Sequence, residues 1–139
     1  MRTAAVLATL SLACAACGGT QRPPISADLG PREVVTHYYD RLAHGDVDGA
    51  REVLTDDGAA QQNLLDGDFR NLSRIDHVTV GQPHQTVYPP YTDVVEITVN
   101  YDAEYKEILT QRSGHVTRFV LVGRRAGGPW RIFSIGSGP

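Results

Sequence analysis

The sequence predicts an α+β domain, with N-terminal helices packed on one face of a curved antiparallel sheet. Two observations carry this. From Pro31 to about Leu65 the apolar residues recur at helical spacing, whereas from Ile75 onward they alternate with polar ones. The later segments are separated by short glycine- and proline-containing turns with no helix between them, which suits an antiparallel meander rather than parallel βαβ units. At 139 residues, 41% hydrophobic and 21% charged, the chain has apolar material for one core, placed in a single domain over residues 31–139.

The elements follow in order. Pro31 suits a first helical position, and Glu33 sits in the positively polarised first turn. Val34, Tyr38 and Leu42, flanked by Val35 and Tyr39, make one apolar stripe, and Gly45 ends the helix. Asp46 caps a second helix with Val47, Ala50, Val53 and Leu54 on a common face, which Asp56-Asp57-Gly58 stops. A third short helical piece spans Ala60 to Leu65. Ile75 to Val80 reads as a strand, and the prolines of Gln82 to Pro90 leave a loop or a poor edge strand. Tyr91 to Tyr105 is the clearest strand, with Val95, Ile97, Val99 and Tyr101 on one face. His115 to Arg124 is apolar on both faces. Phe119 and Leu121 are placed under the helices with Ile132, and Val116, Val120 and Val122 are left over. That remaining face invites cover by the N-terminal segment or by a second subunit in a homodimer. Trp130 to Ile135 is the last strand.

Ahead of the domain stands an address. Met1-Arg2 is followed by an uncharged, mostly apolar run from Thr3 to Ala16. At 1.5 Å per helical residue this run is too short for a hydrocarbon core of about 30 Å, but it has the length of a secretory signal. Ala15-Ala16-Cys17-Gly18-Gly19 resembles the lipobox of bacterial lipoproteins, in which the cysteine sulfur is acylated and becomes the first residue of the mature chain. Cys14 is a rival, but Ser11-Leu12 before it fits that pattern less well, and an ordinary secretion signal cut after Ala16 is the other reading. The expectation is a signal peptide over residues 1–16, lipidation at Cys17, and a tether over residues 17–30 that holds the domain at the extracytoplasmic face of the cell membrane. A single acylated cysteine then excludes disulfides, thiol catalysis and cysteine metal sites.

Val34-Val35-Thr36-His37-Tyr38-Tyr39-Asp40-Arg41-Leu42, then Gly45-Asp46-Val47-Asp48-Gly49-Ala50 and Leu54-Thr55-Asp56-Asp57, resemble the nuclear-transport-factor-two-like superfamily of cone-shaped domains. The ending Pro129-Trp130-Arg131-Ile132 and Gly136-Ser137-Gly138-Pro139 is similar to a branch found in bacterial lipoproteins. The resemblance implies a cone with an internal pocket. It selects no function, since such folds carry isomerases, dehydratases, carriers and adaptors. A gap-free register on the ketosteroid isomerases of that superfamily puts Tyr38 at the phenol position and Gln62 at the base position. A glutamine has no basic form near neutral pH, and the sequence gives no reason for Asp57 or Asp66 to move in.

The sequence therefore favours a non-catalytic module that binds a small apolar ligand or a partner protein, with Tyr38 and Gln62 at the pocket. The alternative is an isomerase or dehydratase using Tyr38 and a carboxylate. A carboxylate or histidine inside the cone beside Tyr38 separates the two. The net charge of −3 argues against a nucleic-acid partner. His37, His44, His77, His84 and His115 lack metal-ligand spacing, Asp46-x-Asp48-Gly49 reads as helix-cap chemistry rather than a calcium loop, and no phosphate-cradling glycine loop implies a cofactor. Asp66-Gly67-Asp68 reads as a solvated turn and Arg124-Arg125 as a hairpin end.

Overall fold

Helices come first and a curved antiparallel sheet follows. The computed structural model describes residues 28–138, so the signal segment, Cys17 and the tether up to residue 27 lie outside the described residues. The elements are α1 (Pro31–Ala43), α2 (Val47–Arg51), α3 (Asp56–Gln62), α4 (Asp68–Asn71), β1 (Leu72–Val80), β2 (His84–Thr86), β3 (Asp93–Tyr105), β4 (Gly114–Arg124) and β5 (Arg131–Gly136). The strand order is β1-β3-β4-β5, and the short β2 shares the β3 edge with β1. Irregular pairing in β1 and between Leu121 and Val122 of β4 bends the sheet.

Helix α1 forms as its residues dictate. Pro31 opens it, and Val34, Val35, Tyr38, Tyr39 and Leu42 are buried. It closes with Gly45 at φ 69°, with Gly45 N–H on the Leu42 carbonyl (2.9 Å) and Asp46 N–H on the Arg41 carbonyl (2.8 Å). Only a residue free of a Cβ adopts that left-handed turn cheaply. Asp46 then caps α2 by accepting from Gly49 N–H at 3.0 Å.

Three expectations are corrected here. The second helix ends at Arg51 in a turn through Val53, and Leu54 bridges to β5, with the Val53 carbonyl accepting from Ile132 N–H and Thr55 N–H donating to the Ile132 carbonyl at 2.9 Å each. Asp56-Asp57-Gly58 is not a stop but the first turn of α3. Thr55 caps it by accepting from Gly58 N–H (3.1 Å), and both carboxylates stand at the positive helix start. The β4 faces are also reversed. Val122, Val120 and Val116 lie opposite Val95, Ile97 and Tyr101, so these valines join the core, whereas Phe119 and Leu121 face Thr98 and Glu96 on the outer side. A strand that is apolar on both faces cannot choose its face by periodicity, and the register with β3 chooses it. The valine face is thus covered by the chain's own helices, and Phe119 is overlaid by the C-terminal turn, since a Cβ at Gly138 would meet its ring at 2.7 Å.

The core is centred on Tyr38, Tyr39 and Tyr101, all fully buried. The Tyr38 and Tyr39 rings meet edge to face at 5.0 Å, and Tyr39 meets Tyr101 at 5.3 Å. The free edge of β5 is closed by a side chain. Gln61 accepts from Ile135 N–H (3.0 Å) and donates to the Ile135 carbonyl (3.2 Å), standing in for a missing strand.

Candidate functional site

Buried polar residues collect where α1, the loop after α3, and β4 converge. Helix α1 sends Tyr38 inward. The chain folds back sharply after α3, so that Gly67 lies against the Gln62 backbone, where a Cβ would come within 2.3 Å of the Gln62 carbonyl oxygen. This fold-back brings Asp68 N–H onto Gln62 Oε1 (3.2 Å) and Asp68 Oδ2 onto the Tyr38 hydroxyl, which donates to it at 3.0 Å. From the sheet, Arg118 occupies an inward position opposite Val99, in series with Val116, Val120 and Val122. Its Nη1 donates to Ser137 Oγ (2.6 Å) and its Nη2 to the Tyr105 hydroxyl (3.1 Å).

Gln62, Asp68 and Arg118 are 4%, 5% and 6% exposed, which is unusual for such side chains and calls for an explanation. Burial raises the Asp68 pKa above the ordinary carboxylate range, against the opposing pull of Arg118 and of the Tyr38 hydrogen bond. Burial also pushes Tyr38 far above the usual phenol range, with nearby Asp68 adding to the rise, so the phenol stays a neutral donor. Burial disfavours the Arg118 charge, but Tyr101, Tyr105 and Asp68 around it raise its pKa on balance. Arg118 and Asp68 form no ion pair, and the guanidinium is bound to the two hydroxyls. Between them lies a cavity of about 180 Å³, walled by Gln61, Gln62, Asp68, Gln111, Arg118 and Ser137, with Leu64 and Ile135 as its apolar lining.

Gln62 stands in this wall. Tyr38 lies one layer deeper and reaches the cavity through Asp68, its single proton already committed. The carboxylate beside the phenol is therefore Asp68, six residues beyond Gln62. Asp66 is held in the rim by Thr110, whose hydroxyl donates to it at 2.7 Å. Asp57 sits in another cleft, of about 550 Å³, at the end of β4. That cleft is larger but more solvent-facing, and its arginines are employed. Arg124 pairs with Asp93 at 2.8 Å and covers the Trp130 ring, and Arg125 lies over Tyr91. The concentration of buried charge, not the volume, marks the smaller cavity as the candidate site.

Sequence reasoning missed Arg118 and misread Asp68, which is not in a solvated turn but is buried and opens α4. The signal for Arg118 was an arginine in step with three valines, hidden by the reversed face. The signal for Asp68 was the glycine before it, which permits the fold-back. The histidines lie elsewhere: His37 contacts the Gly49 carbonyl, and His77 and His115 share exposed Asp102. Among the described residues no group of His, Cys, Asp or Glu is placed to hold a metal ion.

No protein-family model matches the chain, and no curated protein does. Among solved structures, one from Novosphingobium aromaticivorans, provisionally described as an aromatic ring hydroxylase, is 20% identical with a TM-score of 0.43, over 76% of this chain and 85% of that one. At this level of likeness nothing about activity transfers.

Proposed function

We propose that this domain binds a small molecule whose polar head enters the cavity between Asp68 and Arg118. The observation that carries this reading is two buried, opposite charges bordering one cavity without neutralising each other in an ion pair. A guanidinium has five N–H donors, and two of its nitrogens are bound to hydroxyls, so donors remain for a ligand oxygen. Asp68 has one oxygen on Tyr38 and offers the other to a ligand hydroxyl or N–H. A carboxyl or amide head, with an acceptor for Arg118 and a donor for Asp68, satisfies both walls. The test is a thermal-shift screen of carboxylic acids, amides and enolisable ketones. Hits should raise the midpoint of the wild type and lose that effect in Asp68→Asn. A panel that moves neither protein refutes the site.

A second reading, proton transfer, draws on the carboxylate beside Tyr38. Asp68 would be the base, and Arg118 would stabilise the developing oxyanion. Binding is preferred because the phenol proton is committed to Asp68 and is not free for a substrate oxygen. The purified protein should therefore not turn over a β,γ-unsaturated ketosteroid. Turnover abolished by Asp68→Asn would put catalysis first.

We further propose that the domain works at the extracytoplasmic face of the membrane, tethered by acylated Cys17. What supports this is the sequence Ala15-Ala16-Cys17-Gly18 after an apolar run.

A further inference from the structure

We infer that the ligand is a single-chain amphiphile, with its head in the cavity and its alkyl chain lying across an apolar rim. The inference rests on the binding reading above and adds the class of ligand. Its first support is size. At about 30 Å³ for each water-sized group, a cavity of about 180 Å³ holds roughly six such groups, enough for a head and little else. The remainder of any larger ligand must leave through the mouth. Its second support is what the mouth is made of. Leu64 lines the cavity and is 58% exposed, and Leu65 (61%), Ile108 (76%) and Leu109 (41%) stand on the two loops that bring Asp66 and Gln111 to it.

These are two apolar pairs on two loops that are fastened together. Thr110 donates to Asp66 across the gap at 2.7 Å, placing Leu109 and Leu65 beside the same tie. The second loop is further anchored by Asn71, which donates to the Glu107 carbonyl and accepts from Glu107 N–H, both at 3.0 Å. Its base is closed by Tyr105 N–H on Ser113 Oγ at 3.0 Å. Loops held this firmly have no need of four exposed aliphatic side chains for their own stability, and the chains flank a cavity whose floor is polar. A polar floor under an apolar, preformed lip matches one ligand shape: a hydrogen-bonding head on a hydrocarbon tail. A carboxylate head fits the floor, one oxygen accepting from Arg118 and the other sharing a single proton with the Asp68 carboxyl.

The experiment is a chain-length series of unbranched acids from butanoate to decanoate, below their micellar concentrations. Binding is measured by calorimetry on the chain from Gly18 onward, which keeps every described element and lacks the apolar run, purified without detergent. Affinity should rise about two- to fourfold per methylene until the rim is covered, the upper value being that of full burial. In Leu65→Ser/Ile108→Ser, two exposed positions that do not line the cavity, the series should flatten while butanoate binds as before. Binding of butanoate with no gain from longer chains overturns the amphiphile and leaves the cavity reading standing. A gain that persists in the rim variant overturns the assignment of the tail to the rim. Alkyl amines binding tighter than the acids overturn the head orientation. Absence of binding by every acid overturns this inference, and the cavity reading falls with it only if the broader thermal-shift panel is also silent. Self-association that the rim variant abolishes, with no chain-length effect, would give the rim to a second copy and overturn the proposal.

Discussion

Adjacent tyrosines on α1 make a controlled experiment at the residue scale. Tyr38 donates to buried Asp68, whereas the Tyr39 hydroxyl is buried with no hydrogen-bond partner. Removing a satisfied donor strands a buried carboxyl group, but removing an orphan hydroxyl relieves a desolvation cost. Tyr38→Phe should therefore destabilise by about 1–3 kcal/mol, and Tyr39→Phe should leave the thermal midpoint unchanged or raise it. Equal losses in the two variants would contradict the assignment of the hydrogen bond. Asp68 supplies the pH dependence. Its folded pKa is raised by burial, so the unfolded state releases this proton more readily. Stability is thus highest below the unfolded carboxylate pKa and falls as pH rises through the folded one. Asp68→Asn removes the titration while keeping an acceptor for Tyr38. Its midpoint should exceed that of the wild type at neutral pH, with the difference shrinking toward pH 4, and ligand binding should be lost. A variant that is less stable at every pH would show that the buried charge stabilises the fold. At this scale the sequence was half legible. The sequence put Tyr38 on the buried stripe of α1, but the position of Asp68 depended on the fold-back at Gly67, a close approach that no local pattern announces.

At the scale of elements, α1 and β3 could be read directly because each has one apolar periodicity and clear end signals. Strand β4 could not. Its apolar residues occupy both faces, and which face is core follows from its pairing with β3, a long-range fact. The consequence is measurable. Val120→Ala removes buried methyl groups from the core and should cost about 2–3 kcal/mol. Leu121→Ala on the outer, half-covered face should cost clearly less, although it removes the larger side chain, and Phe119→Ala should likewise fall below the loss expected of a core phenylalanine. The reverse order in denaturant midpoints would restore the opposite face to the core. The junction between α2 and α3 was misread for a related reason. Asp56-Asp57-Gly58 looks like a terminator in isolation, but Thr55 converts the same residues into a helix start, while the chain before it is drawn out by pairing with Ile132. Gln61 belongs to the same contact, and Gln61→Ala should open the β5 edge, seen as faster amide exchange at Ile135 with little change elsewhere.

The whole molecule joins this domain to its first residues, and here the sequence carries the argument alone. No described helix is long and apolar enough to cross a membrane, and the domain begins within about 20 Å of Cys17 if the intervening residues behave as a flexible chain. On the proposed reading, retention at the membrane rests on the acyl groups of Cys17. Two or more chains bury enough methylenes for a stable anchor, where one would be marginal. Such an anchor and a charge-based contact respond oppositely to solvent. Salt screens surface charges within about 10 Å at 0.1 M but leaves hydrocarbon burial intact. The protein should therefore fractionate with membranes, resist a high-salt wash and be released by detergent. Cys17→Ala should abolish retention or accumulate as an uncut precursor, and Cys14→Ala should behave as wild type. If Cys17→Ala is processed and retained while Cys14→Ala is not, the anchor is Cys14 and the tether is three residues longer. Release of the wild type by salt alone would remove the lipid anchor and leave the domain to be placed by its surface.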